Sequence, residues 1–121
     1  MGRRIMIVDD SNFMRTMIKS VLIKAGYEIV AEAENGAVAV QKYRQVKPDL
    51  IMLDITMPEM TGIEALKQIK SEFPHVKAIM VSAMGQKPMV MEAIEAGASD
   101  FVVKPFLEDK VIATIESVLN R

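Results

Sequence analysis

The chain contains no cysteine and no tryptophan, a single histidine, and only six other aromatic residues in 121. Without cysteine there is no disulfide framework and no thiolate metal site, which fits a reducing compartment. Charge of one sign is also missing. Fifteen Lys and Arg stand against sixteen Asp and Glu, for a net charge of −1, so there is no basic footprint for nucleic acid. Long apolar runs are absent too: the longest, such as LIML at 50–53, have four residues, where a membrane span needs about 20. The amino-terminal MGRRIMIVDD carries positive charge, but its short apolar run ends at two aspartates, too short for a signal peptide. Gly2 would suit myristoylation, but Met6 stands where that motif wants Ser or Thr. The lone His75, in FPHVK, has no acid or cysteine at ligand spacing and reads as solvated. These absences leave a cytoplasmic protein that does not insert into membranes and is expected to be a monomer.

What is present is an alternation of short apolar runs and longer periodic segments. RIMIV (4–8), EIVAEA (28–33), LIMLD (50–54), AIMVSA (78–83) and FVVK (101–104) read as strands. Three of them are apolar for four residues in succession, as in strands covered on both faces. Between them, 12–25 carries one stripe of Phe13, Met14, Met17, Ile18, Val21 and Leu22, with Gly26 as the residue after the helix. Residues 36–46 follow Asn35 as an N-cap, with Val38, Ala39 and Tyr43 on one side. TGIEALKQI starts on Thr61 with Glu64 three residues on, a capping-box signature. A fourth helix over 86–96 ends at Gly97, and a fifth over about 107–120 spaces Leu107, Val111, Ile112, Ile115, Val118 and Leu119 at helical intervals. Most of the eleven methionines fall in strands and read as core. Met89 and Met91 on the fourth helix cannot both face inward, which puts one on a surface.

Strand–helix alternation with short connections implies right-handed crossovers and a parallel sheet with helices on both sides. At this length, and without a dinucleotide loop, the expected fold is a doubly wound, flavodoxin-like five-stranded α/β sheet of order 2-1-3-4-5. One domain over 1–121 accounts for the whole pattern, with no stretch left for an output domain. A chain of this size buries roughly two-thirds of its unfolded surface.

In such a sheet ligands bind outside the carboxyl ends of the strands. Those ends are Asp9 and Asp10 after the first strand, Asp54 on the third, Ser82 on the fourth and Lys104 on the fifth. An isolated acid pair reads as a solvated loop, a lone serine as a backbone partner, a lone lysine as surface. Together they converge on one rim. Three carboxylates raise one another's pKa, and a divalent cation removes that conflict. Oxygen-only ligands suit Mg²⁺ or Mn²⁺. A metal there, with Lys104 as a point charge and Ser82 as a hydrogen-bond donor, suits a phosphoryl group. Asp54, on the central strand, is then the nucleophile that becomes an acyl phosphate.

IVDD, LDITMPEMTG, VSAMG and FVVKPF resemble the signature blocks of the response-regulator receiver domain, in order across essentially the whole chain. The spacings agree: 28 residues from Asp54 to Ser82 (82 − 54) and 22 from Ser82 to Lys104 (104 − 82). FMR, DITMPEM and SAMGQ are most similar to stand-alone chemotaxis receivers. The resemblance implies that Asp54 is the phosphoacceptor and that Asp9, Asp10, Asp54 and the backbone carbonyl of Thr56 form the metal site, Asp10 being a more direct ligand than Asp9. It implies phosphoryl binding by Ser82 and Lys104, a cis bond between Lys104 and Pro105, and a switch pair of Ser82 and Phe101. Phe101 lacks a hydroxyl, so a switch there works by packing alone. Thr56 and Met84, each two residues beyond a site residue, would tune dephosphorylation; Met84 either shields the phosphate or covers core.

The implied partners are a histidine kinase as donor, a flagellar motor switch protein or another protein target as readout, and a phosphatase. A phosphorelay intermediate feeding a histidine phosphotransfer protein is the nearest rival. The chain is expected to be a signalling switch and not a turnover enzyme. An aspartate-nucleophile phosphatase would carry an acid two residues past the nucleophile, where Thr56 stands. A flavin or nucleotide binder would need a phosphate-cradling loop in place of DDSN.

Overall fold

In the computed structural model, which describes residues 3–121, five strands alternate with five helices. They are β1 (Arg4–Val8), α1 (Asn12–Lys24), β2 (Glu28–Ala33), α2 (Gly36–Val46), β3 (Leu50–Asp54), α3 (Gly62–Glu72), β4 (Ala78–Ser82), α4 (Lys87–Glu95), β5 (Asp100–Val103) and α5 (Glu108–Leu119). All strand pairs are parallel and the order is β2-β1-β3-β4-β5, the order read from the sequence. Gly2 lies outside the described residues.

Period-two alternation divides each strand between two cores. Met6, Val8, Ile51, Leu53 and Met80 face α2, α3 and α4, where Ala39, Val40, Tyr43, Leu66, Ile69 and Ala93 are buried. Ile5, Ile7, Leu50, Met52, Ile79 and Val81 face α1 and α5, against Leu22, Val111, Ile115 and Val118. Every residue of β3 and β4 is buried, which is why these strands read as continuous apolar runs.

The helix ends follow the local chemistry. Asn35 accepts a hydrogen bond from the Val38 amide at 2.8 Å. Thr61 and Glu64 form the reciprocal capping box, and Gly26 and Gly97 adopt the positive φ that follows a helix. Two apolar patterns overreached. Phe13 and Met17 belong to the α1 periodicity but are 71% and 43% exposed; only Ile18 and Leu22 of that helix are fully buried. An isolated helix of 13 residues can bury one narrow stripe on the sheet, and Phe13 and Met17 sit at its solvent edge. Leu107 is not within α5 but is its N-cap residue, and is exposed. Of the two methionines on α4, Met89 packs against the core and Met91 is exposed.

Candidate functional site

The carboxyl ends of β1, β3, β4 and β5 form one rim. β1 delivers Asp9 just past its last residue, and the ladder continues there, the Asp9 amide donating to the Ala33 carbonyl at 3.1 Å. β3 ends on Asp54 itself. β4 ends on Ser82, whose carbonyl accepts from the Lys104 amide at 2.7 Å, so the lysine is aligned by the sheet. The Lys104–Pro105 bond is cis. Asp9, Asp54 and Ser82 are buried, the only buried polar or charged residues among those described.

Asp9, Asp10 and Asp54 each offer a carboxylate oxygen within 4.8 Å of the others. Lys104 Nζ lies between two of them, 3.1 Å from Asp9 Oδ2 and 3.7 Å from Asp54 Oδ2. One ammonium does not neutralise three carboxylates. Burial, and next the negative charge of Asp9, push the Asp54 carboxyl up to about 6, against the opposing pull of Lys104. A carboxylate held out of its ordinary range by burial and like charge favours a bound cation.

The two acids after β1 have different surroundings. Asp9 Oδ1 accepts the Ser11 amide at 2.8 Å and Oδ2 is engaged by Lys104, so both of its oxygens are committed. Asp10 is exposed, with one carboxylate oxygen within reach of the same cluster. The donor set is all oxygen with an open side, which fits a hard divalent cation keeping waters.

Thr56 and Met84, also named from the sequence, follow Asp54 and Ser82 at this rim, whereas Phe101 sits within β5 and His75 in the loop before β4, at the opposite end of the strands. The Thr56 amide reaches Asp54 Oδ1 at a long 3.4 Å. Met84 is 77% exposed and therefore covers no core. Phe101 is exposed to 39% and lines an apolar groove of about 300 Å³ with Met84, Val90, Met91, Ile94 and Val103. His75 is exposed in its loop.

Sequence reading passed over two supports. Arg15 donates to the Asp9 carbonyl at 2.6 Å while its Nε meets Glu32 at 3.3 Å. Glu32 also pairs with Lys19 at 2.7 Å, and that hydrogen bond first, then the remaining positive charge, holds its carboxyl below the usual range. Gln86 donates to Thr56 Oγ1 and accepts from the Ala83 amide, both at 2.7 Å. No short-range pattern marks either residue, since each acts across elements. Gly62 is a third: its amide donates to the Ile55 carbonyl at 2.8 Å, and a Cβ there would run into the Asp54 carbonyl oxygen.

The family model for the response regulator receiver domain matches residues 5–116. The chain belongs to that family. This receiver is 59% identical to the chemotaxis protein CheY of Bacillus subtilis over 120 residues, covering 99% of this chain and 100% of that one. It is 54% identical to the chemotaxis protein CheY of Thermotoga maritima over 118 residues, 98% of each. Among solved structures, it matches the CheX–CheY–BeF3–Mg complex from Borrelia burgdorferi with a TM-score of 0.92 and 36% identity, over 96% of this chain and 88% of that one. The receiver is thus closely related to CheY proteins, and its acidic cluster is compatible with the Mg²⁺ that receiver domains hold. No helix of the described residues is long and apolar enough to cross a membrane.

Proposed function

We infer that this receiver is a phosphoacceptor response regulator, phosphorylated on Asp54 by a histidine kinase and read out by phosphorylation-dependent protein binding. The observation that carries the reading is the convergence of Asp9, Asp10, Asp54, Ser82 and Lys104 on one rim, with Asp54 buried and raised toward neutrality. Asp9, Asp10, Asp54 and the Thr56 carbonyl would hold Mg²⁺ or Mn²⁺. When bound, such an ion neutralises the carboxylates and offsets negative charge on phosphoryl oxygens.

The chain's own residues account for the transfer. An Asp54 carboxylate oxygen forms the new O–P bond in line as the P–N bond to the donor histidine breaks, the electron pair leaving on the imidazole nitrogen. Asp54 must be ionised to do so, and Lys104, 3.7 Å away, favours that form. Lys104 then has a second oxyanion to pair with, and Ser82 supplies a hydroxyl donor. Hydrolysis reverses the state: water attacks phosphorus, the acyl O–P bond breaks, and the carboxylate and inorganic phosphate are released. Thr56 and the exposed Met84 flank the path of that water and would tune the rate. No acid stands at Thr56 to promote it, which argues for a switch and against an aspartate-nucleophile phosphatase, whose positioned acid contributes roughly 10²–10⁴-fold.

The signal is carried by Ser82 and Phe101. Movement of Ser82 toward a phosphorylated Asp54 draws on the β4–α4 loop and lets Phe101 leave its exposed position for the groove beneath Met84 and Ile94. This is a shift between two packings, and a partner that distinguishes them reads it. The relation to CheY proteins supports a role in chemotaxis with a flagellar motor switch protein as target, and the complex of a relative with CheX supports binding of a further protein. The test is transfer from a ³²P-labelled histidine kinase: label should pass to the parent and not to Asp54→Asn. Tighter binding of a motor switch protein by the labelled form supports the chemotaxis output. Onward transfer to a histidine phosphotransfer protein with no change in that affinity would favour the phosphorelay role.

A further inference from the structure

The loop between β4 and α4 has little of its own to hold it. Ala83, Met84 and Gly85 are all exposed, and Gly85, at φ +84°, has open space where a Cβ would stand. Gln86 closes this loop. It stands at the N-cap position of α4, yet its side chain makes no capping hydrogen bond to that helix. Its carboxamide is used in two other directions. Oε1 accepts the Ala83 amide at 2.7 Å, folding the loop back on the residue that follows Ser82. Nε2 donates to Thr56 Oγ1 at 2.7 Å, crossing to the loop that follows Asp54.

A carboxamide's two ends are a fixed distance apart, so it serves both loops at one spacing only. We propose that Gln86 is a latch: a positioning residue that bridges the loop after Ser82 to the loop after Asp54 and holds Ser82 in its resting place. The inference rests on the reading of Asp54 as phosphoacceptor. Phosphorylation draws Ser82 inward and changes that spacing, so at least one of the two bonds breaks, and the Ala83 amide is released beside the incoming oxyanion. The latch therefore biases the loop toward rest until the phosphoryl group's own contacts outweigh it.

Gln86→Met keeps the length of the side chain and removes both bonds. Each hydrogen bond is worth roughly a fivefold shift in an equilibrium, so uptake of phosphate from acetyl phosphate in Mg²⁺ buffer should accelerate roughly five- to thirtyfold. Thr56→Val removes only the bond between loops and should accelerate uptake by less. The double variant should be no faster than Gln86→Met, because that bond is already gone. Hydrogen exchange at the Ala83 amide should rise in the unphosphorylated Gln86→Met protein by more than at the amides of β3 and β4, which a loss of overall stability alone would not produce. Should Gln86→Met misfold, Gln86→Asn, one methylene too short to reach both partners, carries the same expectation. A parent that takes up phosphate and a Gln86→Met variant that does so at the parent's rate would overturn the latch alone. Effects of the two single variants that multiply in the double would also overturn it. A parent that takes up no phosphate would overturn the phosphoacceptor reading, and the latch with it.

Discussion

Replacing Asp54 by asparagine should stabilise the metal-free protein at neutral pH. Folding puts this carboxyl in a buried position beside Asp9 and Asp10, with Lys104 at 3.7 Å and the long Thr56 amide bond in partial compensation. Its pKa rises from 3.8 to about 6 as a result. At 1.36 kcal/mol per pH unit, that gap corresponds to at most about 3 kcal/mol of folding free energy lost on ionisation. Water at the open rim screens part of it, leaving about 1–2 kcal/mol. Because the folded pKa is the higher one, protonated Asp54 favours the folded state below its ordinary range. That contribution is lost as pH rises through about 6. Asparagine keeps the shape, can still accept from the Thr56 amide, and carries no charge. Urea unfolding followed by circular dichroism in EDTA should place the Asp54→Asn midpoint above the parent's at pH 7.5, by about 1–2 kcal/mol after conversion with the common slope. The advantage should shrink as pH falls below 6 and vanish near 4. A variant less stable than the parent at pH 7.5, or a gain independent of pH, would refute the argument that the acid cluster is strained without a cation.

The converse perturbation is the cation. Mg²⁺ at 100 times its dissociation constant should stabilise the parent by about 2.7 kcal/mol, and Asp10→Asn should lose most of that gain; an unchanged parent midpoint would remove the metal site from the account. Gly62→Ala should cost about 2–3 kcal/mol in the same assay, since its Cβ meets the Asp54 carbonyl oxygen; a neutral result would mean the β3–α3 turn relaxes freely. Leu107→Ser should change stability by no more than about 0.5 kcal/mol, because Leu107 lies at the exposed start of α5; a loss typical of a core leucine would return it to the packed stripe.

The fold was legible because its signals are local and agree. Apolar runs in 50–54 and 78–82 are buried on both faces, and caps such as Asn35 and Thr61–Glu64 act within four residues. The rim was legible because strand ends in a parallel sheet share one edge, so Asp9, Asp54, Ser82 and Lys104 could be brought together by counting strands. The misses come where periodicity is blind to neighbours. Phe13 and Met17 keep helical spacing with the buried Ile18 and Leu22, but how wide a stripe the sheet covers depends on how the helix is rolled. Leu107 has the right interval and the wrong side of a helix boundary. Gln86, Arg15 and Gly62 support the site through contacts at separations of 30, 6 and 7 or 8 residues, with no pattern to announce them.

The central claim is that Asp54 accepts a phosphoryl group with the help of a metal held by Asp9 and Asp10. Intact mass after incubation with acetyl phosphate, with Mg²⁺ or with EDTA, tests it most directly, with Asp54→Asn measured beside the parent. The account expects the mass of one phosphoryl group to appear on the parent in Mg²⁺ only, and never on the variant. A folded parent that gains no mass, or a variant that gains as much, would contradict it.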